Sequence, residues 1–284
     1  MSAVFSQEVR ARAGDVSGQF LEATENFVAV CREFAMKHEP VWLVEVGSKA
    51  EPFPTLFNRY VDFLHALYLH KFAAFAESLI ESVNRSDYLS YALIGRAMIE
   101  HAATLRYYWE KRLLPVIHSA SKRGGLTSAE ERAVIDSLDQ HLRGSRFDWL
   151  SFALKDYQRL KERQAARRKE KRGGEPKPAD PNRPDQVNVA TALEHWAKEE
   201  EGVHIAYDLF CDLVHPNVGS NMLVIAHADG RLTVAPRSES AIGVDIFRQS
   251  LPLLVASAIR EASRLIPMLV LIRYQDDELP KGIS

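Results

Sequence analysis

The sequence has only two cysteines among its 284 residues, Cys31 and Cys211, and both lie in apolar helical patterns. Two isolated thiols argue against a disulfide framework and indicate reduced, buried side chains. Glycine-rich phosphate loops, cysteine pairs at zinc-ligand spacing and Gly-x-Ser-x-Gly motifs are also absent from the sequence. These absences argue against P-loop nucleotide hydrolysis, zinc-finger roles and serine-hydrolase chemistry.

The sequence also lacks an excess of charge of either sign, because 36 Lys and Arg face 38 Asp and Glu, for a net charge of −2. Such a balance gives no global attraction to nucleic acid or to an anionic membrane, so any such binding needs a local patch. The N-terminal residues lack the basic start and apolar core of a signal peptide. The longest apolar run near the C-terminus, 265–272, is far shorter than the ~20 residues of a spanning helix. We therefore expect a cytoplasmic protein that does not enter membranes.

Apolar residues recur at helical spacing along most of the chain, which predicts an all-α multi-helix bundle. Short alternating segments around Asp229-Gly230 predict a small β-hairpin over 222–235. Proline and charge dominate 173–185, which predicts a mobile surface loop within one helical domain spanning 1–284. Helices are predicted over 15–37, 56–83, 88–114, 128–142, 147–172, 188–214 and, from Ser240 or Asp245, to about Arg273.

The helix predicted over 188–214 carries an unusual polar stripe near its end. At about 100° per residue, one line of this apolar helix holds His204, Asp208, Cys211 and His215. An apolar helix with one narrow polar line usually buries that line, and buried polar groups need partners. The expected partners are Arg96 and Glu100, which are four residues apart on the central helix predicted over 88–114.

Two motifs together carry a resemblance to a known family. One is Arg-x-x-x-Glu in the central helix, from Arg96 to Glu100, and the other is Tyr-x-x-Leu/Phe-x-x-x-x-His-Pro, which begins at Tyr207. Over roughly residues 55 to 275, the layout resembles uncharacterised bacterial all-helical proteins that are distantly similar to the HEPN superfamily. The resemblance implies a compact helical bundle, commonly dimeric, and in many members a metal-independent ribonuclease of toxin–antitoxin or phage-defence systems.

The sequence departs from the active HEPN motif, in which an arginine precedes a histidine with four to six residues between them. If His215 is that histidine, the arginine belongs at position 208, 209 or 210, where Asp208, Leu209 and Phe210 stand. Either Arg96 supplies the cation from a neighbouring helix, or the ribonuclease chemistry is absent.

Two hypotheses about these residues therefore stand side by side. In the catalytic one, His215 transfers protons during RNA cleavage, Arg96 holds the scissile phosphate, and Glu100, Tyr207 and Asp208 orient them. In the alternative, the same residues form a structural lock between two buried helices of a non-catalytic binding or regulatory module. The expected partners are RNA, a second copy of the chain, and an antitoxin or defence protein.

A metal site on the same stripe is a weaker hypothesis. Glu201, His204, Asp208, Asp212 and His215 are ligand types at helical spacing. Di-iron bundles repeat Glu-x-x-His on two helices, whereas this chain has it once, at Glu201 to His204. We therefore expect no metal and no cofactor.

A basic run over 155–172 is the expected contact with a nucleic-acid backbone. The residues predicted to make that contact are Arg159, Arg163, Arg167 and Arg168. The alternative is a solvated helix extension beside the 173–185 loop, because the run has few interleaved aromatic residues for base stacking.

Overall fold

The computed structural model describes residues 3–37, 51–143, 152–162, 165, 187–228, 231–234 and 241–275. In this part of the chain the protein is an all-α multi-helix structure, as its apolar periodicity predicts. The chain divides into two compact units, Met1–Thr127 with Val189–Ser284, and Ser128–Asn188. The single domain over 1–284 stays a prediction, and the loop predicted over 173–185 lies outside the described residues.

The larger unit contains both candidate sites discussed below. Its N-terminal helices are α1 (Gln7–Ala13), α2 (Asp15–Lys37), α3 (Phe53–Asn84), α4 (Tyr88–Tyr108) and α5 (Leu114–Arg123). Its C-terminal helices are α7 (Val189–Ala197), α8 (Gly202–Val214), α9 (Val218–Met222), α10 (Ala241–Leu254) and α11 (Arg260–Leu271). The remaining labelled helix, α6 (Ser128–Arg143), belongs to the smaller unit.

The centre of the larger unit is the predicted hairpin of α3 and α4. A short link joins them. Asp87 in this link is the N-cap of α4 and accepts a hydrogen bond from the Ser90 backbone N–H at 3.2 Å, so α4 begins directly after it. Large apolar side chains of both helices are almost fully buried, among them Phe72, Tyr91 and Met98. Their burial removes the apolar faces of both helices from water, which is the main stabilising contribution to such a core.

In the larger unit, three helices that the sequence predicts as continuous are interrupted in the structure. The helix predicted over 88–114 passes from α4 through a first π-helix, Trp109–Leu113, into α5. The last helix is likewise divided by a second π-helix, Val255–Ile259, between α10 and α11. The helix predicted over 188–214 is two helices, α7 and α8, because the chain turns at 198–201. Apolar periodicity cannot reveal these interruptions, since both segments of each pair keep an apolar face.

The helix predicted over 147–172 falls in the smaller unit and is described only in part. Residues 152–153 and 157–162 are helical, and the intervening turn includes Lys155 with a left-handed φ of 57°. The prediction of an unbroken helix is therefore wrong at 154–156.

In the segment 222–235, two strands pair antiparallel, β1 (Ile225–Ala228) and β2 (Arg231–Val234). Ile225 pairs with Val234, and Ala228 pairs with Arg231. The connecting residues 229–230 lie outside the described residues.

One helical stretch of the described chain, Ile242–Leu271, is long and apolar enough to cross a membrane by length and composition alone. The core helices of soluble proteins often pass the same test, and part of this stretch is buried inside the protein. The cytoplasmic location therefore stays a prediction.

Candidate functional site

The first candidate site lies where α4 packs against α8, and we call Arg96, Glu100 and Tyr207 the Arg96 cluster. Arg96 Nε donates a hydrogen bond to Glu100 Oε1 at 2.9 Å, and the Tyr207 hydroxyl donates to the same oxygen at 3.2 Å. The guanidinium carbon of Arg96 lies 5.8 Å from the centroid of the Tyr207 ring, within cation–π range. The predicted contact between the Arg96–Glu100 pair and the helix that ends at His215 is therefore confirmed for Tyr207.

A glycine allows the two helices to approach each other beside this cluster. A Cβ atom at Gly95 would lie 2.3 Å from Cε1 of Phe210, so any larger residue there would collide with the ring. Phe210 is fully buried and its ring centroid lies 5.7 Å from that of Tyr91. The close packing of Phe210 against α4 sets the position of α8 along α4. At that position the Tyr207 hydroxyl reaches Glu100.

The Arg96 cluster is reachable by solvent. The side chains of Arg96 and Glu100 are 29% and 28% exposed. Burial raises the pKa of Tyr207 to about 12, with further contributions from its hydrogen bond to Cys211 and from the negative charge of Glu100. Tyr207 is therefore a neutral hydrogen-bond donor near pH 7, which is the form that its bond to Glu100 requires.

The prediction that the polar stripe of α8 is buried is wrong. His204, Asp208, Asp212 and His215 are exposed, and Cys211 is half-buried. The buried positions of α8 are instead Val203, Ala206, Phe210 and Leu213. A narrow apolar face at i, i+3, i+7 and i+10 is enough to hold this helix on its neighbours, so its polar stripe faces water.

His215 and Asp208 stand apart from the Arg96 cluster. His215 is the C-terminal cap of α8 in an extended conformation, as expected for a residue before proline, and its backbone N–H donates to the Cys211 carbonyl at 3.0 Å. Neither side chain forms a hydrogen bond or ion pair with any residue that the structure describes. The proposed orienting contacts of Asp208 and the direct pairing of Arg96 with His215 are thus missing there.

The residues of the weaker metal hypothesis on α8 do not form a candidate metal-binding group among the described residues. Asp212 accepts a hydrogen bond from the Asn217 side chain at 2.5 Å and so belongs to the turn after His215. Among the basic residues, Arg159 is exposed in the smaller unit, and Arg163, Arg167 and Arg168 lie outside the described residues. Their contact with nucleic acid stays a prediction.

A second candidate site, which the sequence reasoning missed, is centred on Arg106 at the C-terminal end of α4. The Arg106 side chain is 6% exposed and forms ion pairs with four glutamates from three parts of the chain. We call the following set the Arg106 network: Arg106, Glu110, His195, Glu199, Glu200, Arg260, Glu261 and Arg264.

The most buried acid of the Arg106 network is Glu261, whose side chain is 2% exposed. Arg106 Nη1 donates to Glu261 Oε1 at 3.1 Å, and Arg264 Nη2 donates to the same oxygen at 2.6 Å. A carboxylate at this depth is stable only with such charged hydrogen bonds. Arg106 therefore compensates part of the negative charge of the buried Glu261 carboxylate.

A histidine completes the Arg106 network. His195 Nε2 lies 3.0 Å from Glu110 Oε2, and its ring contacts Tyr107 edge-on with centroids 6.1 Å apart. Glu110 belongs to the first π-helix, and Glu261 follows the second π-helix closely. Such wide helical turns frequently occur at functional sites.

Local signals for the Arg106 network do exist in the sequence. Arg106-x-x-x-Glu110 repeats the spacing of Arg96-x-x-x-Glu100, and Glu261-x-x-Arg264 also joins opposite charges on one helix face. However, the network joins residues about 155 positions apart in sequence, and their meeting depends on tertiary packing that spacing alone does not encode.

One apolar cavity of about 630 Å³ lies between α2, α3 and α11. Its walls include Phe27, Val30, Leu69 and Ile266. This size suits a small organic molecule, but no residue of the Arg96 cluster or the Arg106 network lines it.

Comparison with known proteins finds no matching family model, no matching curated protein and no matching solved structure.

Proposed function

We propose that the chain is a HEPN-like protein that acts on RNA through the α4–α8 surface, with Arg96 as the ligand of a backbone phosphate. The observation that carries this proposal is the state of the Arg96 guanidinium. Among the described residues, its Nε atom donates to Glu100 and its face lies over the Tyr207 ring, while neither terminal amino group donates a hydrogen bond. A solvent-reachable guanidinium with both amino groups available is suited to bidentate contact with phosphate.

In the catalytic form of the proposal, RNA cleavage is an internal transesterification without a metal ion. The ribose 2′-hydroxyl attacks phosphorus, the P–O2′ bond forms and the P–O5′ bond breaks. A base accepts the 2′-hydroxyl proton, and an acid supplies a proton to the leaving 5′-oxygen. His215 is suited to this proton transfer because imidazole exchanges protons near neutral pH. Arg96 stabilises the charge that develops on the phosphoryl oxygens.

The alternative is a non-catalytic binding or regulatory module of the same fold. The observation that favours it concerns His215, whose side chain forms no hydrogen bond or ion pair with a described member of the Arg96 cluster. Efficient proton transfer needs an oriented imidazole, and bound RNA would have to supply that orientation. In this module Arg96 binds phosphate and no bond is broken.

The remaining parts of the proposal concern context. We propose a cytoplasmic homodimer that works with an antitoxin or another defence protein, with the basic residues around Arg159 as an additional contact for the RNA backbone. Support for these points comes from the resemblance of the Arg96 and Tyr207 motifs to HEPN-type proteins and from the local charge of the 155–172 run.

Incubation of the purified protein with structured and unstructured RNA, with and without a chelator, tests the proposal. Cleavage that survives chelation and is lost in Arg96→Ala and His215→Ala supports the catalytic form, with His204→Ala as an exposed-histidine control on the same helix. RNA binding without cleavage, lost in Arg96→Ala alone, supports the binding module. Neither binding nor cleavage by the wild-type protein would overturn both.

A further inference from the structure

We propose that Glu110, His195 and Glu199 bind one divalent transition-metal ion, with zinc as the first ion to test. The ligand atoms of these three side chains all lie within 4.8 Å of one another. His195 Nε2 and Glu110 Oε2 are 3.0 Å apart. Two ligands of a tetrahedral zinc ion, with bonds of about 2.1 Å, are separated by roughly 3.4 Å. These two atoms therefore need to move apart only slightly to share an ion.

Arg106 contacts both oxygens of Glu110 and one oxygen of Glu199. Its Nε atom donates at 3.3 Å to Glu110 Oε2, which is the oxygen that faces His195. Its Nη2 atom lies 3.1 Å from Glu110 Oε1 and also pairs with Glu199 Oε2. The other oxygen of Glu199, Oε1, accepts no hydrogen bond from a described residue. Ligating carboxylates are commonly oriented by hydrogen bonds of this kind, which also fix their direction toward the ion. Arg106 is thus a positioning residue of the metal site.

The charge balance of the Arg106 network favours an added cation. Its four glutamates, Glu110, Glu199, Glu200 and Glu261, face only three guanidinium groups. One negative charge therefore stays uncompensated when His195 is neutral, which is the state in which its nitrogen can ligate a metal. An ion between His195 and the two carboxylates supplies positive charge where it is lacking.

The site is accessible and has the ligand types of a first-row divalent ion. Glu199 is 52% exposed, so an ion can enter from solvent. Imidazole and carboxylate ligands together suit Zn²⁺, Mn²⁺ or Fe²⁺. Three protein ligands leave one coordination position for water, as in zinc sites that are not closed by a fourth residue. The proposal is independent of RNA cleavage at Arg96, which needs no metal.

Titration of chelator-treated, dialysed protein with ZnCl2 and, separately, MnCl2 tests this proposal by calorimetry and by thermal unfolding. The variants are His195→Gln and Glu199→Gln, and the second keeps an oxygen acceptor for Arg106 at a half-exposed position. The matched controls are Glu201→Gln and His204→Gln, which remove an exposed acid and an exposed histidine nearby in sequence. Circular dichroism of each apo-protein verifies its fold.

We expect one ion per wild-type chain and a rise in Tm of roughly 5–10 °C at an ion concentration of about 100 times Kd. Each ligand variant should weaken binding by at least about tenfold, since loss of an orienting partner alone costs that much. The controls should bind as the wild type does. Absence of binding to both ions in the wild type, or equal affinity in the wild type and in folded His195→Gln and Glu199→Gln, overturns the proposal.

Discussion

The continuous helical segment formed by α4 and the first π-helix carries the same Arg-x-x-x-Glu pattern twice, and the two copies have different surroundings. Arg106 is 6% exposed and pairs with Glu110 and three further glutamates. Arg96 is 29% exposed, and in the part of the chain that the structure describes it forms an ion pair with Glu100 and with no other acid. Spacing along one helix predicts that each arginine touches its glutamate, which both do. Burial and neighbours from other helices decide which pair stabilises the core and which remains available to a ligand.

The comparison predicts a division of roles between the two arginines. Arg106 saturates its hydrogen bonds inside the protein, so its removal should affect folding first. The terminal amino groups of Arg96 donate to no described residue, so under the proposed function its removal should affect RNA binding first.

Substitution Arg106→Ala should have the largest effect. It removes one of the two guanidinium groups that pair with the buried Glu261, and removal of one partner from a buried pair costs about 3–5 kcal/mol. The free energy of unfolding, from urea titration followed by circular dichroism, measures this loss. Arg85→Ala, which breaks an exposed pair with Glu81, is the matched control and should change stability only slightly. A similar small loss in both variants would contradict the structural role of Arg106.

Substitution Gly95→Ala should have the next largest effect, because the new methyl group meets the Phe210 ring. Overpacking of this kind costs about 1–3 kcal/mol. Gly202→Ala is the control, since a Cβ atom there meets nothing within 4 Å and should be neutral or slightly stabilising. Urea unfolding of both variants distinguishes them, and equal stability would mean that α8 does not pack against α4 at this glycine.

Substitution Arg96→Ala should lower stability by only about 0–1 kcal/mol, because its partly exposed pair is compensated by water. The same urea experiment measures this change beside that of Arg106→Ala. If the two losses were equal, the Arg96 cluster would be a structural lock and the comparison between the two arginines would fail.

The smallest effect concerns His101, which lies on α4 between the two arginine–glutamate pairs. Burial lowers the pKa of His101, despite the hydrogen bond between Nδ1 and the Ala97 carbonyl at 2.8 Å. Below about pH 6.5 the unfolded chain therefore binds a proton that the folded protein resists. The contribution of His101 to the free energy of unfolding should be constant above that pH and should fall as the pH drops toward the lowered pKa of the folded state. Urea titrations from about pH 7.5 to 5 should show a smaller decrease in His101→Gln, and identical slopes would refute this assignment.

The sequence predicts the local parts of this structure well. The bounds of α2 and the hairpin of α3 and α4 follow from apolar periodicity and from cap residues such as Asp87. The contact between Arg96 and Glu100 follows from helical spacing, and the predicted contact of this pair with Tyr207 is present in the structure. These features depend on residues close in sequence or on one pair of long helices.

The remaining features depend on tertiary packing. The sequence predicts a buried stripe of His204, Asp208 and His215, but these residues are exposed. The four buried residues of α8 lie on another face of the helix, and they are enough to hold it on its neighbours. The Arg106 network joins α4, α7 and α11, and its partners come together only through the packing of several helices. Neither exposure of a polar stripe nor convergence of distant charges can be derived from the period of one helix.

Under the proposed function, Arg96 binds an RNA phosphate, whereas Arg106 stabilises the fold. The most direct test is the affinity of wild-type protein and Arg96→Ala for a fluorescently labelled single-stranded RNA, measured by anisotropy with a chelator present. Loss of one charged hydrogen bond to phosphate should weaken binding by about tenfold or more, with circular dichroism and Tm close to those of the wild type. Equal affinity of the two folded proteins would contradict the claim.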